Sequence, residues 1–232
     1  MQNSLDLLKF QTHPLPNKGM LIVFEGGEGS GKTTQLGRSH DWLMAQVGGS
    51  PLAVVKTREP GGTELGRHIR ELLLHPDTTE PTQDRAELLL FAADRAQHVE
   101  GVLRPALQRG SLVLCDRFTD STVAYQGYGR GLDLVLIHQL NQIATGGLEP
   151  DLTLWLDVEV TTGLSRAQRR GRADRMEQNQ IEFHQRVRQG FCDLAAAHPQ
   201  RIRRVDANRS ADEVFQDVQH ILTEAIAQWY SP

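Results

Sequence analysis

The residues Gly26-Gly27-Glu28-Gly29-Ser30-Gly31-Lys32-Thr33 satisfy the pattern G-x-x-x-x-G-K-[ST] without a mismatch. Each residue type in it has a physical task. Glycines let successive backbone N–H groups turn inward around phosphate oxygens, and the helix that follows adds the positive end of its dipole. Lys32 then reaches the β- and γ-phosphates of a nucleoside triphosphate, and the Thr33 hydroxyl is placed to ligate Mg²⁺. A tight turn alone would also use glycines, but it would not require a strand before them and a helix after. A chance match in a chain of this length has odds on the order of one in a hundred.

A second group with chemical potential lies late in the chain. Arginine outnumbers lysine 21 to 4, and Arg166, Arg169, Arg170, Arg172 and Arg175 crowd into ten residues. On its own such a run reads equally well as a solvated basic helix face. Behind a phosphate loop it reads as a lid at about 162–176, whose guanidinium forks close over a triphosphate and neutralise charge on the transferring group. No aromatic residue interleaves with these arginines, so a stacking platform for single-stranded nucleic acid is not expected. Cys115 and Cys192 have no second Cys or His at zinc-ligand spacing, which leaves a reducing cytoplasm as the simple reading.

The elements that must hold these groups follow from periodicity. Met20 to Glu25 is a short apolar run ended abruptly by glycines, as expected of a central parallel strand covered on both faces. Thr33 to Val47 reads as the helix behind the loop, stopping at Gly48-Gly49. Further strands are expected at Leu52–Thr57, Leu112–Cys115, Leu152–Leu156 and Arg201–Val205. Helices are expected at Glu64–Leu74, Arg85–Gln108 (one long helix or a pair), Leu134–Ala144, from about Thr162, Gln180–Ala197 and Ala211–Trp229. Five apolar strands alternating with helices imply a three-layer α/β fold: an open five-stranded parallel sheet with helices on both faces and ligands beyond the strands' carboxyl ends. Residues 1–18 read as an irregular tail and 19–232 as one domain. The 232-residue chain, 39% hydrophobic with a net charge of -4, is no general polyanion binder and has no run approaching a membrane span.

A phosphate loop does not name a reaction, since GTPases, motors, ATPases and small-molecule kinases share it. The guanine-reading Asn-Lys-x-Asp element is missing, because Asn17-Lys18 lies upstream of the loop without the Asp. A nucleoside monophosphate kinase acting on UMP, AMP or GMP and an ATP-cycling binding switch both stay open at this point.

Several further motifs narrow the choice. Thr57-Arg58-Glu59-Pro60-Gly61-Gly62-Thr63, Phe91-Ala-Ala-Asp-Arg95, Asp116-Arg117-Phe118, Ala124-Tyr125-Gln126-Gly127 and Pro150-Asp151-Leu-Thr-Leu follow the phosphate loop in order. Together with it they resemble bacterial thymidylate kinase over residues 19 to about 230. The resemblance implies a P-loop kinase fold, ATP with Mg²⁺ as donor, dTMP as acceptor, dTDP and ADP as products on the way to dTTP, and a homodimer. It implies that Gly26, Gly27, Glu28, Gly29, Ser30, Gly31, Lys32, Thr33 and Thr34 hold ATP, with Arg166 and Arg170 from the lid. It puts Phe91 on the thymine face, Arg95 on its exocyclic carbonyl, Thr122 and Gln126 on the acceptor, and Tyr125 against the sugar's 2′ position. Arg58 and Arg117 take the acceptor phosphate, Glu28 the sugar 3′-OH, and Thr33 with Asp116 the metal. Because Gly29 rather than an arginine follows Glu28, the catalytic arginine is expected from the lid, with Arg170 ranked first beside Lys32, Arg117 and Glu28. From the residues alone, Phe91 would read as core, Arg95 as a surface charge and Asp116 as a helix cap or a partner for Arg117.

Overall fold

Short apolar strands and amphipathic helices in alternation can bury both only in layers, with the sheet in the middle. The computed structural model describes residues 18–47, 52–74, 80–169, 171, 175–176 and 179–230. The chain runs β1 (Met20–Glu25), α1 (Lys32–Gln46), β2 (Val54–Arg58), α2 (Glu64–Leu74), α3 (Asp84–His98), α4 (Arg104–Gln108) and β3 (Leu112–Asp116). It continues through α5 (Thr119–Thr122), α6 (Leu134–Thr145), β4 (Leu152–Asp157), α7 (Val160–Gln168), α8 (Ile181–Ala197), β5 (Ile202–Asp206) and α9 (Ala211–Trp229). The strands form one parallel sheet in the order β2-β3-β1-β4-β5. The phosphate-loop strand β1 is therefore central, and β3 beside it delivers Asp116 next to the loop.

Alternate residues of β1 face opposite layers, as the two-residue period of a strand requires. Met20, Ile22 and Phe24 pack with Leu36 and Leu43 of α1 and Val218 and Leu222 of α9. Leu21 and Val23 pack with Val99, Leu103 and Leu107 on the other side. Every residue of β1 and β4 is buried, whereas the edge strands β2 and β5 are partly exposed. Truncating a fully buried side chain such as Leu114 would cost about 2–5 kcal/mol. At the far end of the sheet, Trp229 Nε1 donates to the Lys18 carbonyl at 3.0 Å, and Lys18 Nζ stands 3.8 Å from Asp151. The rest of the expected tail, residues 1–17, lies outside the described residues.

One open alternative is settled, and one helical element was not expected. The stretch expected over Arg85–Gln108 as one long helix or a pair is a pair, α3 and α4, joined without a break by a π-helical turn, Val99–Leu103, with Pro105 in the first turn of α4. A helical segment also occupies 119–129, α5 running into the π-helical Val123–Gly129, where the sequence showed a motif but no helical period. This segment packs on α8, because Gly190 lets that helix approach: a Cβ there would lie 2.9 Å from the Tyr128 ring.

Candidate active site

Glu25 ends β1, and the loop after it folds back over the carboxyl end of the sheet. Gly26, Gly29 and Gly31 take φ values of 145°, 64° and 89°, which a side chain would resist, so the glycines are what allow the loop its shape. Lys32 opens α1 and is buried; its Nζ donates to the carbonyls of Gly26 (2.9 Å) and Gly27 (2.8 Å) and more weakly to Ser30 Oγ (3.3 Å). Burial, with the Arg117 charge nearby, pushes the Lys32 ammonium down to about 8 against the opposing pull of Glu28, Asp116 and Glu25. Thr33 Oγ1 meets Asp116 Oδ2 at 2.9 Å, while Thr34 is exposed on the next position. The carboxylate at the end of β3 and the hydroxyl of the loop therefore converge on one spot.

Across the loop lies a tight charged cluster. Arg117 has φ 71°, in the left-handed region unusual for a residue with a side chain, and that conformation turns its guanidinium back toward the loop. It donates to Glu28 Oε1 (3.1 Å), Tyr125 Oη (3.0 Å), Ser121 Oγ (3.1 Å) and the Gly26 carbonyl (3.2 Å). The Tyr125 hydroxyl in turn donates to Glu28 Oε1 at 2.7 Å. Burial would raise the Glu28 carboxyl, but the Arg117 and Lys32 charges and the tyrosine bond outweigh it and bring it down to about 2. Beneath the cluster, Glu25 accepts from the N–H groups of Phe118 (2.8 Å) and Ser121 (3.1 Å) and from Ser121 Oγ (2.6 Å). Burial raises the Glu25 carboxyl to about 7, with Arg117 opposing and Asp120 adding to the rise.

A single cavity joins this cluster to the motifs between β2 and α6. Its lining runs from Glu28–Thr34 through Asp116 and Arg117 to Arg58, Phe91, Arg95, Thr122, Tyr125 and Gln126. Arg58 ends β2 and is exposed at the cavity, its side chain having no hydrogen-bond or ion-pair partner among the described residues. Phe91 is half-buried on α3 and offers a ring to the cavity. Arg95, one turn on, is not a surface charge, being 2% exposed. Gln126 is buried, its Nε2 donating to Glu87 Oε1 at 2.8 Å. Tyr125 packs edge-on against Phe183 and Phe191.

The arginines of the expected lid divide. Arg166 of α7 does not line the cavity; it donates to the carbonyls of Ala207 (2.7 Å) and Asn208 (3.1 Å), tying α7 to the loop after β5. Arg175 pairs with Glu87 and donates from Nε to the Leu73 carbonyl at 2.8 Å. Arg170, and with it Arg172, lies outside the described residues. Four cavity residues carried no sequence signal: Arg70 and Leu74 on α2, Ser121 on α5, and Met176. They belong to no recognisable motif, and only tertiary packing brings them in.

Thr33 and Asp116 offer hard oxygen donors, a hydroxyl and one carboxylate, which suits a small divalent cation that keeps waters and shares phosphate oxygens. Among the described residues no group of three or more His, Cys, Asp or Glu forms a metal cluster. No helix among them is long and apolar enough to cross a membrane.

Comparison with known proteins bears on what this cavity takes. The family profile described as thymidylate kinase matches residues 24–218. The chain is 57% identical over 228 residues to the thymidylate kinase of Acaryochloris marina (strain MBIC 11017), covering 91% of this chain and 99% of that protein. It is 55% identical over 222 residues to that of Trichodesmium erythraeum (strain IMS101), covering 91% and 98%. Among solved structures, a crystal structure of thymidylate kinase from Ehrlichia chaffeensis is similar with a TM-score of 0.71 at 36% identity, covering 88% of this chain and 98% of that one.

Proposed function

The chain belongs to the thymidylate kinase family, and on that premise we propose how its own residues divide the transfer of the γ-phosphoryl group from ATP to dTMP. The family's reaction yields dTDP and ADP. The observation that carries the division is the continuity of the cavity: the phosphate loop and the Phe91–Arg95–Thr122 group line it together, and Arg117 bonds both to the loop, at Gly26 and Glu28, and to Ser121 and Tyr125. Two anionic nucleotides placed end to end bring their phosphates together at Arg117, Lys32 and Arg58.

In this arrangement the loop amides from Gly26 to Thr33 cradle the donor phosphates, and Lys32 exchanges its loop carbonyls for phosphate oxygens. Arg58 and Arg117 hold the acceptor phosphate in line for attack, a positioning task suited to planar, multiply donating groups. The acceptor phosphate oxygen attacks directly, so no strong general base is needed. Glu28 stays ionised, keeps Arg117 aimed, and accepts from the sugar 3′-OH; the Tyr125 ring fills the space a 2′-OH would require. Phe91 stacks on the base, and Arg95 and Thr122 face its polar edge with Gln126 behind. Thr33 and Asp116 would hold Mg²⁺, which when bound neutralises charge between the donor phosphates. Arg170 and Arg166 complete the donor side from the lid, Arg166 by fixing the loop after β5.

We further propose a homodimer through α2, α3 and α6, where Leu65, Leu72, Leu89, Val135 and Ile143 are exposed, Ile143 at 78%. The free cysteines suit a cytoplasmic setting, and the substrates are small nucleotides rather than nucleic acid. The division of roles is tested by assaying dTMP, dUMP, dCMP, UMP, AMP and GMP as acceptors with ATP and Mg²⁺. Preference for dTMP is expected; preference for a purine or a ribonucleotide would overturn the assignment of Phe91, Arg95 and Tyr125.

A further inference from the structure

Arg95 has five N–H donors. Nε donates to Glu59 Oε2 (2.8 Å), Nη1 to Thr122 Oγ1 and Asn141 Oδ1 (2.8 Å each), and Nη2 to the Phe118 carbonyl (2.9 Å). Four donors are used and one N–H remains, in a guanidinium that borders the cavity. Which N–H remains, and where it points, depends on what grips the Nε edge. That grip is Glu59, whose other oxygen, Oε1, meets His98 Nδ1 at 2.9 Å, and His98 Nε2 meets Thr57 Oγ1 at 2.6 Å. All three charged or ionisable members are buried: Glu59 is 4% exposed, Arg95 2% and His98 0%.

The chemistry of this chain of contacts sets its direction. A carboxylate only accepts, so His98 must donate from Nδ1 to Glu59. In the neutral ring Nε2 is then the acceptor for the Thr57 hydroxyl. The packing agrees with a built feature, because a Cβ at Gly62 would lie 2.5 Å from His98 Cδ2. The same helix face holds the loop a second time, Asp94 Oδ1 accepting from the Gly61 N–H at 2.9 Å. The segment that carries Arg58 is thus locked onto the helix that carries Arg95.

We propose that His98, acting through Glu59, is a positioning residue for acceptor selection. It holds the Arg95 guanidinium in the one orientation that leaves an N–H for the exocyclic carbonyl of thymine. This rests on the proposed role of Arg95. An amino group at that position of the base, as in cytosine, would face a donor and be refused.

The test compares the full-length enzyme with His98→Ala, His98→Asn, His98→Gln and Arg95→Met, measuring KM and kcat for both substrates and calorimetric affinities for dTMP and dCMP. His98→Ala is expected to raise KM for dTMP about tenfold or more, without a matching change for ATP, and to narrow the preference for dTMP over dCMP. His98→Asn, whose amide N–H falls near the Nδ1 position, should recover much of the loss; His98→Gln, whose amide falls near Nε2, should not. An unchanged dTMP KM in His98→Ala, an equal loss toward ATP, or no difference between Asn and Gln would overturn the proposal. Should His98→Ala not fold, ¹⁵N-labelled histidine spectra of the unaltered enzyme decide instead: an Nδ1–H tautomer supports the relay and an Nε2–H tautomer sinks it. If Arg95→Met keeps the dTMP preference, the base-reading role of Arg95 falls; if it loses the preference while His98→Ala keeps it, only the positioning role does.

Discussion

Arg117 Nη2 stands 3.1 Å from Glu28 Oε1, where the phosphates of the two nucleotides are proposed to meet, and the arginine reaches it from a backbone at φ 71°. Strain of that kind costs on the order of 1–3 kcal/mol and persists only where the surroundings over-determine it. Here the surroundings are the loop carbonyl of Gly26, the hydroxyls of Ser121 and Tyr125, and the ionised Glu28.

Glu28 links that pair to acid stability. Its carboxyl is brought down to about 2 in the folded protein from an ordinary 4.5. A depressed acid stabilises the fold above its unfolded value, and that contribution is lost as pH falls toward the folded value. Glu28→Gln should therefore be less stable than the parent at pH 7, by on the order of 3 kcal/mol at most from the size of the shift, and the gap should close between about pH 4.5 and 2. Urea unfolding at pH 7, 4 and 3 measures it; a gap independent of pH would show that the carboxylate charge is not what stabilises the cluster.

Lys32 gives a prediction of opposite kind. Burial pushes its ammonium down to about 8, so the lysine sheds, as pH rises through that range, the charge that donor phosphates are proposed to need. Binding ATP should therefore draw protons onto the lysine, a contribution that grows as pH rises from 6 toward 8, and ATP affinity should fall as pH rises beyond 8. Calorimetry in buffers of different ionisation enthalpy reads the uptake directly, and a buffer-independent heat at pH 8 would contradict it. Lys32→Ala should abolish the pH dependence along with most turnover.

Asp116 tests the metal. If its carboxylate and the Thr33 hydroxyl share Mg²⁺, Asp116→Asn should raise the Mg²⁺ concentration for half-maximal turnover by about 10–100-fold, with dTMP KM little changed. Activity restored by excess Mg²⁺ is the expected signature. A loss that no Mg²⁺ concentration restores would instead assign Asp116 to holding the loop through its 2.9 Å bond to Thr33.

What the residues revealed in advance, and what they did not, follows from how local each signal is. The spans of β1, α2 and α9 were readable because a hydrophobic period and its end signals lie within one segment; for α9, Ser210 and Glu213 form the capping box that marks its start. The phosphate loop was readable for the same reason. The helical turns at 119–129 were not, since their hydrogen bonds shift to a π pattern and their burial comes from α8. The buried state of Arg95 was also hidden. Its partners Glu59, Thr122 and Asn141 are 36, 27 and 46 residues away, and an arginine one turn beyond Phe91 looks like a surface charge until those partners are assembled. Arg70 and Met176 entered the cavity by packing alone.

The exposed apolar face predicts the assembly. A charge at Val135 or Ile143, 66% and 78% exposed, costs a monomer almost nothing but would leave an unpaired charge inside a dimer contact. Ile143→Asp should shift sedimentation from dimer to monomer while the unfolding midpoint of the isolated monomer stays close to the parent's. A parent enzyme that sediments as a monomer at micromolar concentration would remove the proposed interface.

The close approach between the phosphate loop and α7 gives the last prediction. Gly29, at φ 64°, and Gly163 of α7 face each other so tightly that a Cβ on Gly29 would lie 1.9 Å from the Gly163 carbonyl oxygen, and one on Gly163 would lie 2.3 Å from the Glu28 carbonyl oxygen. Both neighbours are backbone, so neither can swing aside as a flexible side chain would. Gly163→Ala must push either α7 or the loop away, and α7 is held by Arg166 on the 207–209 carbonyls. The loop is the part that yields. Because its amides are proposed to wrap the donor phosphates, ATP affinity should fall by about tenfold or more while dTMP affinity, proposed to be set by the Phe91–Arg95–Thr122 group, changes little. Gly37→Ala is the control: it sits on α1, the helix behind the phosphate loop, with nothing within 4 Å of the added carbon, and should leave both affinities as they are, with a small gain in stability. Equal losses toward ATP and dTMP in Gly163→Ala would mean that the contact supports the whole cavity rather than its donor end.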